Sequence, residues 1–308
     1  MTSDTSRGAD TSSSWSRAWE NHAPGYMFLI PWFIGFFGLT LGPIIYSFYL
    51  SFTNFDLLTA PEWTGLDNYI RMFTADPKFL TSMRVTLFFV VFSVPLKLAF
   101  ALGVALLLNR GMRGLPVYRA VFYLPSLLGA SVAIAILWRQ IFARDGLVNQ
   151  LLALVNIDGP SWISNPKHSL WTLVILAVWQ FGSPMIIFLA GLRQIPQDLY
   201  EVASLDGASK WRQFWKITLP MLTPVVFFNA IIQTIDAFKS FTPAYIISGG
   251  TGGPINSTLF YTLYLYQEAF LFFRMGYASA LAWALLAIVA LFTAFSFLTS
   301  KYWVHYDD

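Results

Sequence analysis

The chain contains no cysteine, and charge is scarce: Asp, Glu, Lys and Arg make up 11% of its 308 residues, where soluble domains carry about 25%. The missing cysteine excludes a disulfide framework, thiolate metal sites and a cysteine nucleophile. The shortage of charge excludes an ordinary soluble enzyme. Histidine is rare too. His22, His168 and His305 all fall outside the apolar blocks and no His-Glu-x-x-His run occurs, so an intramembrane enzyme lacks its ligands and its base. No Gly-x-x-x-x-Gly-Lys-[Ser/Thr] run is present, so any dependence on ATP must come from another chain. The 19 Lys and Arg are scattered among 16 Asp and Glu rather than gathered on one face, which leaves a nucleic-acid partner without support.

What fills the chain instead is hydrophobic, 56% of residues, with 18% aromatic. The apolar residues are gathered into six blocks, Tyr26 to Phe52, Val85 to Leu108, Val117 to Leu137, Leu170 to Leu192, Leu219 to Phe238 and Met275 to Thr299. Each is long enough to cross roughly 30 Å of hydrocarbon at about 1.5 Å per residue. The expected fold is therefore all-α, a polytopic membrane protein with six transmembrane helices over 26–300. A polar tail at 1–25 precedes it and a short tail at 301–308 follows it. The first block is too long for the apolar core of a signal peptide and lacks a small-residue cleavage site, so it should remain as a span.

Six spans put both termini on one side. The loops at 109–119 and 193–218 carry seven Lys or Arg, whereas the other three connections, together nearly three times as long, carry eight. By the positive-inside rule the termini and the two basic loops face the cytoplasm. The opposite connections hold apolar runs of their own: Gly65 to Phe73 and Gly146 to Val155 read as short interfacial helices, and Gly249 to Pro254 as a turn-rich stretch. Two readings fit these runs, a surface for an external partner or plugs of the outer end of the bundle.

The sizeable cytoplasmic loop, 193–220, is the most informative stretch. Pro196 can open a helix with Asp198 at its N-terminus; Leu199, Val202, Ala203 and Leu205 supply an apolar side; Asp206-Gly207 breaks the run. A second amphipathic helix then carries Trp211, Phe214 and Trp215 beside Lys210, Arg212 and Lys216, and Pro220 is expected to open the fifth span. Two short helices held at an angle between two spans would transmit a push into both.

The same stretch resembles the EAA loop of permease subunits of ATP-binding-cassette (ABC) importers. The pattern of that loop is Glu-Ala-Ala, three residues, Gly, nine residues, Ile, one residue, Leu-Pro. Here it reads Glu201-Val202-Ala203, Gly207, Ile217 and Leu219-Pro220 with every spacing kept; Val202 in place of the first Ala is the one departure. The resemblance implies a type I importer permease fold. It also implies that Glu201, Ala203, Asp206, Gly207, Trp211, Ile217, Leu219 and Pro220 belong to coupling helices that dock on an ATPase subunit.

Further stretches extend the likeness over nearly the whole chain. Pro24-Gly25-Tyr26, Trp63 to Tyr69, Phe122 to Pro125, Arg274 to Ala280, and Ser257 to Tyr261 after the glycines resemble the sugar-permease group of the maltose-transporter superfamily. Within it, the chain is similar to the F-type member of the two non-identical permeases. The implied partners are a second permease, two ATPase subunits that use ATP and Mg, an extracytoplasmic solute-binding protein and a sugar. No cofactor is expected on this chain. The implied location is the cytoplasmic (inner) membrane of a bacterium or archaeon.

Inside the membrane, Asn229, Gln233, Asp236 and Ser240 share one helical stripe. Polar groups at that depth face a protein interior or a wet pathway, so the stripe is the candidate sugar-facing surface. Bonding between helices is the other reading. Trp179 and Trp283 are candidate stacking faces for sugar rings. Gln180 lies beside Gly182 and Pro184, a pair expected to interrupt the fourth span. Lys97 sits about twelve residues from either end of the second span and needs water, a carbonyl or a counter-charge. Asp236 is the charge at comparable depth, so the two should approach or line one wet cavity. Gly276, Ala280, Ala284 and Ala287 form a ridge for close packing. The expected cargo is an oligosaccharide or disaccharide, with glycerol-3-phosphate or a polyol as the alternative. An ion-coupled secondary transporter is the remaining class; it would show an inverted repeat, and no convincing one is found.

Overall fold

The architecture was obtained as a computed structural model describing residues 27–111, 114–129 and 131–305; the polar tail expected at 1–25 lies outside them. The first apolar block forms helix α1 (Met27–Leu50), with a π-helical segment at Gly35–Leu41. It is apolar on every side and buries almost nothing within the chain, as expected of a helix clad mostly in lipid. A two-residue antiparallel hairpin, β1 (Thr53–Asn54) and β2 (Glu62–Trp63), and the short helix α2 (Asp67–Thr74) follow.

Helix α3 (Pro77–Leu108) is longer than the apolar block that announced it. Asp76 caps it by accepting from the N–H groups of Lys78 and Phe79, and Pro77 occupies the first turn, where its missing N–H costs nothing. The added turns carry Lys78 and Arg84, so hydropathy does not see them.

The third block is not the continuous span expected over Val117 to Leu137. It divides into α4 (Leu115–Leu128) and α5 (Val132–Ile141), whose axes differ by 95°. Ser131 restarts the helix by accepting from the N–H of Ile134, a cap hidden inside an apolar run. Helix α6 (Leu147–Ala153) lies within Gly146 to Val155, where the sequence reads as a short helix.

The fourth block is broken as expected, into α7 (Pro166–Trp179) and α8 (Gly182–Leu192), bent by 42°. The basic loop folds as α9 (Gln197–Leu205) and α10 (Lys210–Met221), the latter containing a π-helical turn at Phe214–Thr218. Pro220 therefore does not open the fifth span. The chain bends by 64° at Leu222, and α11 (Thr223–Phe238) starts with Pro224 in its first turn. Beyond it lie α12 (Thr242–Ser248), α13 (Tyr261–Tyr266) and α14 (Met275–Ser300). Helices α1, α3 and α14 are long and apolar enough to cross a bilayer alone. Each of the three bent pairs, α4–α5, α7–α8 and α10–α11, is apolar enough as a pair.

Helix α3 is the hub, packed by α7, α8, α11 and α13. Two apolar clusters sit along it. One, built on Ala101, Ala105, Leu108, Phe181, Met185, Phe188, Leu189, Leu192 and Leu222, lies at the end that carries the basic loop. The other, around Phe89, Leu173, Leu176, Phe260, Tyr261 and Leu281, lies toward the opposite end. There the carboxylate of Asp76 also accepts hydrogen bonds from the hydroxyls of Tyr264 and Tyr277, tying the start of α3 to α13 and α14. Burial first, then the Asp76 carboxylate, push the Tyr264 phenol far above the usual tyrosine range, so it stays a donor. The small-residue ridge packs in part. A Cβ at Gly276 would collide with the carbonyl of Thr53, and Ala280 is fully buried, while Ala287 is exposed.

Candidate functional site: a braced arm and a polar cavity

Helix α9 ends because Gly207 takes a left-handed conformation, φ +74°. The N–H of Gly207 then donates to the carbonyl of Ser204 (3.1 Å) and that of Ala208 to the carbonyl of Ala203 (2.9 Å). These are the two bonds of a Schellman stop, with glycine where an L side chain is strained. Ala203 and Ala208, both half-buried, sit at the two positions the stop brings together. Ser209 restarts the chain as α10 by accepting from the N–H of Arg212 at 3.3 Å. The spacing from Ala203 to Gly207 is thus the spacing needed to end one short helix and begin another at an angle.

The angle is braced from inside. Gln213, 3% exposed, donates through Nε2 to Ser204 Oγ (2.9 Å) and to the carbonyl of Ala208 (3.2 Å). The hydroxyls of Tyr200 and Thr218 share a hydrogen bond of 2.9 Å. Tyr200 and Ile217 pack on the cluster of Ala101, Met185 and Leu222, so the arm is keyed into α3 and α8 as well as joined to α11. The face turned away from the bundle is apolar yet open: Val202, Leu205, Trp211 and Trp215 are 58%, 88%, 71% and 48% exposed. Glu201 and Asp206 are exposed on the arm, and Leu219 and Pro220 are half-buried at its root. Gln213 and Tyr200 were not singled out from the sequence. A glutamine between Trp211 and Trp215 carries no local sign that its amide turns inward.

The second feature is a cavity of about 620 Å³ between α3, α4, α7, α8, α11 and the start of α12. It brings together Lys97, Gln180, Gln233, Asp236 and Ser240 with Ser93, Ser126 and Ser183. Its α3 lining stops at Lys97, one turn before Ala101, so the apolar cluster separates it from the arm. Lys97 and Asp236 line it together. Among the described residues Asp236 has its ion pair with Lys239 (3.6 Å), and no carboxylate lies within 4.0 Å of the Lys97 ammonium.

Three sequence candidates fall elsewhere. Asn229 lies two turns along α11 from Asp236, fully buried, and among the described residues neither atom of its amide has a hydrogen-bond partner. Trp179 packs against Trp138, ring centres 5.8 Å apart, and Trp283 against Phe48 at 4.7 Å. Both indoles fill contacts between helices and are absent from the cavity wall.

The break between α7 and α8 shapes the cavity and is chemically closed. Ser126 Oγ donates to the carbonyl of Gln180 (2.9 Å) and accepts from the N–H of Ser183 (2.9 Å), while Gln180 Nε2 reaches the carbonyl of Gly129 at 3.2 Å. The backbone groups freed by the break thus find partners from α4, the condition for non-helical backbone at membrane depth. Gly182 is required there because a Cβ would strike the carbonyl of Phe122. Ser126 was also missed. The signal available was a serine directly after Pro125 in a mostly apolar block.

The arm, the broken spans and the cavity describe a membrane-embedded transport component. The family model of binding-protein-dependent transport system inner membrane components matches residues 110–303. The chain belongs to that family, the permeases of ABC transporters. It is 53% identical to a probable ABC transporter permease, YesP of Bacillus subtilis, over 99% of both chains. It is 32% identical to the lactose transport system permease LacF of Rhizobium radiobacter, covering 90% of this chain and 94% of that one. The fold matches a chain in the crystal structure of a bacterial alginate ABC transporter in complex with an alginate pentasaccharide-bound periplasmic protein. The TM-score is 0.78 at 19% identity, over 94% of this chain and 98% of that one.

Proposed function

We propose that this chain is the membrane-spanning permease subunit of an ATP-driven, binding-protein-dependent importer of a disaccharide or oligosaccharide. In this reading residues 26–300 make six crossings, each bent pair counting as one. The basic end and both tails face the cytoplasm, and the chain supplies half of the translocation pathway in an inner membrane. A second permease supplies the other half. Two ATPase subunits consume ATP and Mg; this chain binds neither. An extracytoplasmic solute-binding protein delivers the sugar at the opposite end.

The observation that carries the reading is the arm of α9 and α10: braced within, keyed into the bundle by Ile217 and Tyr200, and presenting exposed Trp211, Leu205 and Val202. Such an apolar face on a rigid lever suits docking to a moving partner. Closure of the ATPase dimer pushes the arm, which turns α11 and α8 against α3 and shifts access to the cavity from one side to the other. The names of LacF and the alginate transporter support a saccharide cargo.

The test is sugar uptake into proteoliposomes that hold the assembled transporter. Uptake should require ATP inside and binding protein outside. Uptake driven by an ion gradient without ATP would overturn the reading.

A further inference from the structure

The cavity holds more positive charge than it neutralises. Its charged lining among the described residues is Lys97, Lys239 and Asp236. Asp236 and Lys239 lie one turn apart on the same helix segment, and both are largely exposed at the mouth, where they pair at 3.6 Å. Lys97 lies deeper, eleven residues from the end of α3, roughly 16 Å along the axis. A lysine tip cannot reach water at the membrane surface from there. An ammonium at that depth is costly, and such a residue marks a substrate path or a specific partner. No carboxylate of the described chain lies within ion-pair distance of it.

Its surroundings are those of a saccharide site. Ser93, Ser183, Gln233 and the amide oxygen of Gln180 offer donors and acceptors in the same wall, and the volume of about 620 Å³ falls within the roughly 300–1,000 Å³ typical of small-molecule sites.

We propose that Lys97 reads a carboxylate on the transported sugar, so that the cargo is an acidic, uronate-type oligosaccharide. This rests on the importer reading given above and narrows its substrate class. One ammonium without a direct ion-pair partner, in a cavity whose charged side chains sum to one positive charge, suits a monoanionic carboxylate. A phosphate dianion is better served by several donors in a fork, such as arginines, and the cavity wall has none among the described residues.

The test uses the whole transporter with its binding protein in ATP-loaded proteoliposomes. The probes are uronate oligosaccharides of two to four sugars, the same oligosaccharides after carboxyl reduction, and glycerol-3-phosphate. The readout is the ratio of acidic to neutral uptake, in the native protein and in Lys97→Gln, Lys97→Arg and Asp236→Asn, each at equal amounts of assembled complex. The acidic sugars should be preferred. Lys97→Gln should cut the ratio by about tenfold, the scale of one charge-assisted hydrogen bond. Lys97→Arg should restore most of it, and Asp236→Asn, which frees a second ammonium, should raise it.

Equal loss of acidic and neutral uptake in Lys97→Gln would show a structural lysine and overturn the assignment. An unchanged ratio, or preference for the neutral sugars or for glycerol-3-phosphate in the native protein, would overturn it as well. If Lys97→Gln fails to assemble, a fall in the ratio for Asp236→Asn refutes the charge balance independently. Absence of ATP-driven uptake of every probe, with the binding protein saturated, would instead remove the importer reading beneath it.

Discussion

Gly207 offers the sharpest perturbation of the arm, because two explanations of its presence predict opposite rankings of variants. Its φ of +74° places it in the left-handed region, and a Cβ built there meets nothing within 4 Å. Within this chain, then, the cost of a side chain is backbone strain alone. It amounts to about 1–2 kcal/mol for an ordinary L residue and less for Asn. For a β-branched residue it reaches the upper end of the roughly 1–3 kcal/mol range. About 2 kcal/mol corresponds to a factor of about 30 in the population of the bent arm. Bracing by Gln213 and Tyr200 opposes the change, so the strain figure is an upper bound on what is seen.

The assay is sugar imported per ATP hydrolysed by the reconstituted transporter, at matched amounts of assembled complex. Strain predicts the order Gly, Asn, Ala, Val, with Gly207→Val losing about tenfold in coupling while hydrolysis continues. If the open space beside Gly207 is instead filled closely by the docked partner, size decides and Ala outranks Asn. Full coupling in Gly207→Val would refute the arm as a rigid lever altogether.

Replacing Ser126 with Ala removes the hydroxyl that serves both the Gln180 carbonyl and the Ser183 N–H. It should destabilise the bundle by about 1–3 kcal/mol, seen as a lower unfolding midpoint of the detergent-solubilised protein. Asp76 separates two roles. Asp76→Asn keeps a helix cap but loses the charge that holds Tyr264 and Tyr277, and Asp76→Ala loses both. Thermal stability should fall in that order, with about 1 kcal/mol between the two variants for the cap alone. Equal stability of the two would show that the cap contributes nothing.

Much of this molecule is legible in its sequence because the physics involved is local. The stop at Gly207 and the restart at Ser209 are helix-terminus chemistry, set by residues a few positions apart. The break at Gly182 and Pro184 also announces itself. What is hidden is either passed over by hydropathy or set by distant partners. The start of α3 at Pro77 lies in polar turns outside the hydrocarbon, which hydropathy ignores, although Asp76-Pro77 is a cap and first turn in plain view. The split of the third block turns on Ser131, a local cap set inside an apolar run where hydropathy passes over it. The stripe on α11 defines a side of the helix but not a depth. Gln233, Asp236 and Ser240 reach the cavity, whereas Asn229, two turns along, is walled in. For Trp179 and Trp283, spacing says nothing about which neighbour fills the space before a sugar can.

The central claim is that the arm of α9 and α10 meets a nucleotide-hydrolysing subunit. Because the chain has no cysteine, a single Leu205→Cys, at a position 88% exposed, gives a unique reactive thiol on that arm. In membranes containing the assembled transporter, a maleimide that carries a photoactivatable benzophenone, attached to this thiol, should cross-link this position to an ATPase subunit on illumination, with a yield that changes when ATP binds. A thiol that forms no such cross-link, or that is labelled by a membrane-impermeant maleimide from the outer face of intact cells, would contradict the account.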